Sequence, residues 1–143
     1  MNLGVDIGGS HITAALVDLE TRSIIQDSVK RSAVDSQESK EVILAAWCDV
    51  INKAFKKSNT DNKLIGIAMP GPFDYENGIS LIKDQDKFKA LYGINIKEEL
   101  AARLSIKAEN DLVYDTYRFP FSYKNIRNAV KSYITRILIA THS

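Results

Sequence analysis

Asp6-Ile7-Gly8-Gly9-Ser10 is the first stretch of this chain whose residue types could do chemistry. Two glycines at a tight turn let the backbone approach a phosphate with no Cβ in the way, and their N–H groups can form a concave anion site. Ser10 can add a hydroxyl donor, and Asp6, on the strand just before the turn, could hold a Mg2+-bound water beside a phosphoryl group in transfer. A plain hairpin would also use Gly8 and Gly9, simply to meet positive φ; the carboxylate ahead of them is what points to phosphate.

A second stretch, Gly66 to Asp74 followed by Asn77-Gly78-Ile79, sets a stiff Pro70-Gly71-Pro72 turn after an apolar run. Such a turn can fix a loop edge against a small ligand, or merely stop a strand. The third stretch, Glu109-Asn110-Asp111, ends a short apolar run, where α/β sheets commonly present functional groups. Asn and Asp also favour helix N-caps, and taken by themselves these residues read as a cap.

The elements that must position these residues are legible as hydrophobic periodicity. Leu3, Val5 and Ile7 alternate with Gly4, Asp6 and Gly8; Ile12 to Leu19 is a second β-prone run; and a turn at Glu20-Thr21-Arg22-Ser23 leads into a third, Ile24 to Val29. Asp35 with Glu38 forms a capping-box pattern ahead of Ile43, Ala46, Trp47, Val50, Ile51, Ala54 and Phe55, which repeat at helical spacing and leave Lys53, Lys56 and Lys57 towards solvent. After the polar break at Ser58 to Asn62, Leu64 to Met69 suits a strand covered on both faces. Asn95 with Glu98 opens a second helix through about Leu104, and Ile106 to Ala108 makes a short strand. The expected class is α/β with a mixed sheet, in the order β-β-β-α-β-α-β.

Bulk properties narrow the function. At 143 residues the chain can bury one core, so one compact domain is expected. With 45% hydrophobic and 26% charged residues and a net charge of +1, the total implies neither disorder nor a polyanionic partner. After Asp115, however, come five basic residues and no acidic one, against fourteen basic and eighteen acidic residues before. The lone Cys48 excludes an intramolecular disulfide and a Cys-based zinc cluster, and His11 and His142 lack ligand spacing, so no metal site is expected from the protein's own side chains. No secretion signal and no run of roughly 20 apolar residues stands in the chain, which reads as cytoplasmic and unattached to membrane.

The three stretches, in order over the first 111 residues, resemble the N-terminal half of an ATP-dependent, glucokinase-like sugar kinase of the ROK (repressor, open reading frame, kinase) family. Asp6-Ile7-Gly8-Gly9-Ser10 is similar to the family's Asp-x-Gly-Gly-Thr, with Ser10 for Thr and His11 where Lys is common. Gly66 to Asp74 is similar to its Gly-x-x-x-Pro-Gly-x-x-Asp loop, and Glu109-Asn110-Asp111 to its Glu-Asn-Asp. The resemblance implies a ribonuclease H-like, actin-like ATPase half-domain, with ATP and Mg2+ as cofactors and a hexose or amino-hexose as substrate. It implies nucleotide phosphates at Asp6, Gly8, Gly9 and Ser10, and sugar at Gly71, Pro72, Asn110 and Asp111. Asp111 would be the catalytic base accepting the proton of the attacking hydroxyl.

Beyond Asp111 the pattern departs from the family. An Ala-rich helix is usual there, and this chain has Leu112-Val113-Tyr114-Asp115-Thr116-Tyr117-Arg118-Phe119-Pro120-Phe121. The expected organisation is a ROK-like domain over 1–111 and a divergent basic tail over 112–143, frameshifted or truncated, with no C-terminal kinase domain. Half of a two-sided site predicts a chain inactive alone, because closure of both halves aligns nucleotide and acceptor. The alternative is a non-catalytic sugar-binding or subunit-interaction module, and a homo-oligomer stays open. Repressor function is disfavoured, since the first motif begins at residue 3 with no helix-turn-helix ahead. Nucleic acid is not an expected partner, the tail's five charges being too diffuse.

Overall fold

The alternation of Leu3, Val5 and Ile7 with Gly4 and Asp6 gives β1 (Asn2–Ile7) one apolar face, and that face organises the sheet. β2 (His11–Asp18) returns antiparallel to it, setting Leu3 opposite Leu16, Val5 opposite Ala14 and Ile7 opposite Ile12. β5 (Leu64–Met69) lies parallel on the other edge of β1 and extends the same rows with Ile65 beside Leu3 and Ile67 beside Val5. These side chains are buried together in one core. The computed structural model describes residues 2–18, 21, 23–56, 64–104 and 137–141.

The third strand differs from the single run Ile24 to Val29 that the sequence suggests. It is split into β3 (Ser23–Ile24) and β4 (Lys30–Ala33), both antiparallel to β2, with a 3₁₀ turn at Gln26–Ser28 between them. The pairs Val17–Ile24 and Ala14–Lys30 leave residues 25–29 opposite only residues 15 and 16, so the surplus loops out. Ser28 repairs the interrupted ladder. Its buried hydroxyl accepts from Leu16 N at 2.8 Å and donates to Ile25 O at 2.6 Å.

α1 (Lys40–Phe55) covers the apolar face through Ile43, Leu44, Trp47, Val50, Ile51, Ala54 and Phe55, the expected helical stripe except that Leu44 is buried in it and Ala46 is only half-buried. Its start is corrected. Ser39, not Asp35, is the N-cap, accepting from Val42 N at 3.3 Å. Asp35 makes a turn of its own, accepting from Gln37 N at 3.0 Å, and its carbonyl accepts from Glu38 N at 3.2 Å.

After β5 the chain forms a small hairpin, β6 (Phe73–Asp74) with β7 (Ile79–Ser80), and then α2 (Ile96–Arg103). Asn95 caps α2 as expected, its Oδ1 accepting from Glu98 N at 3.0 Å. β8 (Ile137–Thr141) pairs parallel with the free edge of β5, and the main sheet runs β3-β2-β1-β5-β8 with β4 also on β2. The architecture is therefore α/β with a mixed sheet. The expected strand Ile106 to Ala108 and residues 109–136 lie outside the described residues.

Candidate functional site

β1 and β5 are parallel neighbours, with Asp6 in register with Ala68, so the turns that follow them emerge side by side at one end of the sheet. The first and second sequence motifs are thereby brought together.

At the first turn, Gly8 N donates to His11 O at 2.9 Å and closes the hairpin. The Gly8 N–H is thus committed to the backbone, and the anion site expected from both glycines narrows to the Gly9 and Ser10 N–H groups, which have no acceptor among the described residues. Ser10 O accepts from Val34 N at 2.8 Å, and the Ser10 hydroxyl shares a 2.8 Å hydrogen bond with His11 Nδ1. Neither glycine has positive φ; only Gly78 and Gly93 do among the described glycines. A Cβ on Gly8 would meet nothing nearer than His11 O at 3.6 Å, and one on Gly9 nothing nearer than Lys87 Cδ at 3.5 Å, both ordinary contacts. Backbone strain does not require these glycines, and neither does packing. What they supply is an uncovered stretch of main chain.

Asp6 stands at the end of β1, on the sheet face opposite Leu3, Val5 and Ile7. Its half-buried carboxylate is a hard oxygen donor of the kind Mg2+ takes through water while phosphates complete its shell. Among the described residues, no three His, Cys, Asp or Glu side chains gather as metal ligands. A metal here would rest on Asp6 and on its ligand's phosphates.

The second turn, Pro70-Gly71-Pro72, contains a cis Gly71–Pro72 bond and is tied down on both sides. Tyr75 donates its hydroxyl to Met69 O at 2.9 Å and packs its ring on Phe73 at 5.1 Å. Asp74 serves the hairpin: its carboxylate accepts from Asn77 Nδ2 at 2.8 Å and Asn77 N at 3.0 Å, and these bonds hold it below the usual carboxylate range. It is a turn residue rather than a ligand in waiting.

A third segment, which no local motif signals, lies beside both turns. Residues 84–88 cross between the two turns. Gln85 Nε2 donates to Gly71 O at 3.4 Å, and the Lys87 side chain lies over Gly9. Phe88 anchors the segment: it is buried in the left-handed region at φ 56°, donates N–H to Ser36 O at 2.8 Å, and meets Trp47 edge-on at 5.6 Å. Gln37 Nε2 donates to Asp86 O at 3.1 Å from the other side. A lone Phe among polar residues was the only signal in the sequence. Of the remaining expected site residues, Asn110 and Asp111 lie outside the described residues.

The fold is thus a mixed α/β sheet whose adjacent parallel strands β1 and β5 bring two turns together at one end. The model of the ROK family matches residues 2–134, and the chain belongs to that family. Among solved structures it is similar to a ROK family glucokinase from Streptomyces griseus in complex with glucose and AMPPNP, at 27% identity and TM-score 0.55 over 73% of this chain and 30% of that one. An inorganic polyphosphate/ATP-glucomannokinase from Arthrobacter sp. strain KM shares the fold, at 22% identity and TM-score 0.60 over 72% of this chain and 40% of its own. So does the ROK hexokinase of Thermus thermophilus, at 19% identity and TM-score 0.52 over 72% of this chain and 32% of its own. The chain thus spans well under half the length of the structures it matches. No curated protein matches the sequence. No helix among the described residues is long and apolar enough to cross a membrane.

Proposed function

We propose that this chain carries the phosphate-binding half of an ATP-dependent hexose or amino-hexose kinase, built on an actin-like half-domain. The observation that carries this reading is the Gly8-Gly9 turn, whose missing side chains neither strain nor packing explains. ATP phosphates approach the Gly9 and Ser10 N–H groups, with the Ser10 hydroxyl as a third donor. Asp6 would hold Mg2+ through a water, and the metal would supply charge to offset that of the phosphates. The sugar lies along Gly71-Pro72 and on Asn110. Asp111 takes the proton of the attacking hydroxyl as the new P–O bond forms and the bond to the leaving ADP oxygen breaks.

Family membership and the AMPPNP and glucose held by the Streptomyces griseus relative support this assignment. In this reading the 143-residue chain, which spans well under half the length of the matched structures, binds without turning over. The tail from 112 is read as divergent or frameshifted, and the cytoplasm as the place of action.

The test is titration of the 15N-labelled chain with Mg-ATP, and separately with glucose, N-acetylglucosamine and mannose, beside a coupled ADP-release assay. The expected result is movement of the Gly9 and Ser10 amide signals with ATP and no turnover. Unmoved turn amides at millimolar ATP would overturn the assignment. In a two-domain protein containing this half, Asp111→Asn should abolish turnover and spare sugar binding.

A further inference from the structure

Lys87 stands 78 residues from Gly9 in sequence and directly over it in space. A Cβ on Gly9 would lie 3.5 Å from Lys87 Cδ and 3.9 Å from its Nζ, so stem and ammonium both run along the uncovered main chain of the turn. The position is held by its neighbours. Phe88 is locked into the core against Trp47 and tied to Ser36 O, and Gln85 reaches Gly71 O, so the segment has little freedom to swing away. The lysine is half-buried, and among the described residues no carboxylate lies within ion-pair distance of it; nearby Asp86 pairs with Lys89 at 3.3 Å instead. A half-buried ammonium beside bare backbone N–H groups adds positive charge to the donors of the turn.

We infer that Lys87 is a ligand-binding residue, the cationic wall of the phosphate turn, donating to a phosphate oxygen of a polyphosphate chain seated on Gly9 and Ser10. The inference rests on the proposed phosphate reading of that turn. A charge-assisted bond from an ammonium to phosphate is among the stronger polar contacts, and its loss is expected to weaken binding about tenfold. The same segment carries Gln85 to the second turn, so a phosphate held by Lys87 would be registered against the edge assigned to the sugar.

The test uses inorganic tripolyphosphate on the 143-residue chain, read by amide and lysine 15Nζ shifts and by calorimetry. Lys87→Met keeps the stem against Gly9 and removes the charge; Lys87→Arg keeps the charge. The expected result is movement of the Gly9, Ser10 and Lys87 Nζ signals, about tenfold weaker binding for Lys87→Met, and an affinity within about threefold of the original for Lys87→Arg. If Gly9 and Ser10 move and Lys87→Met binds as tightly as the original chain, the lysine inference falls while the phosphate reading stands. If the Gly9 and Ser10 amides do not move, both fall. An unchanged spectral dispersion in Lys87→Met shows that the variant is folded, and a collapsed one is replaced by succinylated or acetylated Lys87 chain, for which the same loss is expected.

Discussion

Gly78 sits so close beneath Lys97 that a Cβ on it would lie 2.5 Å from Lys97 Cβ, and its φ of 79° is one that side chains avoid. Gly78→Ala combines clash with backbone strain and should cost roughly 2 to 4 kcal/mol in urea unfolding. Gly93 has a similar φ of 74° and open space around it, so Gly93→Ala should cost only about 1 kcal/mol. Equal losses at the two sites would contradict the packing described for the β6–β7 hairpin.

Gly8 and Gly9 should behave in the opposite way. With neither positive φ nor crowding, Gly8→Ala and Gly9→Ala should leave stability within about 1 kcal/mol of the original, or raise it slightly by restricting the unfolded chain. ATP-induced shifts should nevertheless shrink most in Gly9→Ala, whose methyl group occupies the approach. A large stability loss in either variant would mean that the turn needs its glycines for folding alone.

Arg103 fastens α2 to α1: its Nη2 reaches Glu41 Oε2 at 2.6 Å and its Nε reaches Glu99 Oε2 at 3.4 Å, while Lys40 reaches Glu99 Oε1 at 3.4 Å. The hydrogen bond from Arg103 holds the Glu41 carboxyl below its ordinary value of 4.5. A depressed folded value means that the contribution is present above pH 4.5 and lost as pH falls through the lower folded value. Thermal melts should show Glu41→Gln less stable than the original at neutral pH, with the difference closing in acid. A gap that persists unchanged at low pH would assign the effect to something other than charge.

Burial pushes the Cys48 thiol up to about 11, so little thiolate exists at neutral pH. Iodoacetamide should label Cys48 at pH 8 only after denaturant is added. Rapid labelling of the folded chain would show that α1 opens locally far more readily than its buried stripe allows.

The residues that form rows and stripes were the ones legible in the sequence. Leu3, Val5 and Ile7, the α1 stripe around Trp47 and Ile51, and the Asn95 cap all follow from local periodicity and local hydrogen bonding, which a single stretch of chain encodes. The split third strand was missed because its cause is non-local: Ser28 replaces ladder bonds that only the partner Leu16 makes visible. The cap at Ser39 was missed because Asp35 offers the same chemistry four residues earlier and spends it on a turn. In the candidate site, the residue types and spacing of Asp6, Gly8, Gly9, Ser10 and Gly71 mark two turns, and the parallel pairing of β1 and β5 sets those turns side by side. Lys87 and Gln85 could not, since polar residues in a loop acquire meaning only from what the fold lays beside them.

Trp47 is the chain's sole tryptophan, fully enclosed, its indole N–H without an acceptor among the described residues and its ring edge-on to Phe88. Since Phe88 adjoins Lys87 in the segment that spans both turns, any tug on that segment reaches the indole within two side chains. The molecule therefore carries its own fluorophore, placed to sense movements of the segment between the two turns without an added dye.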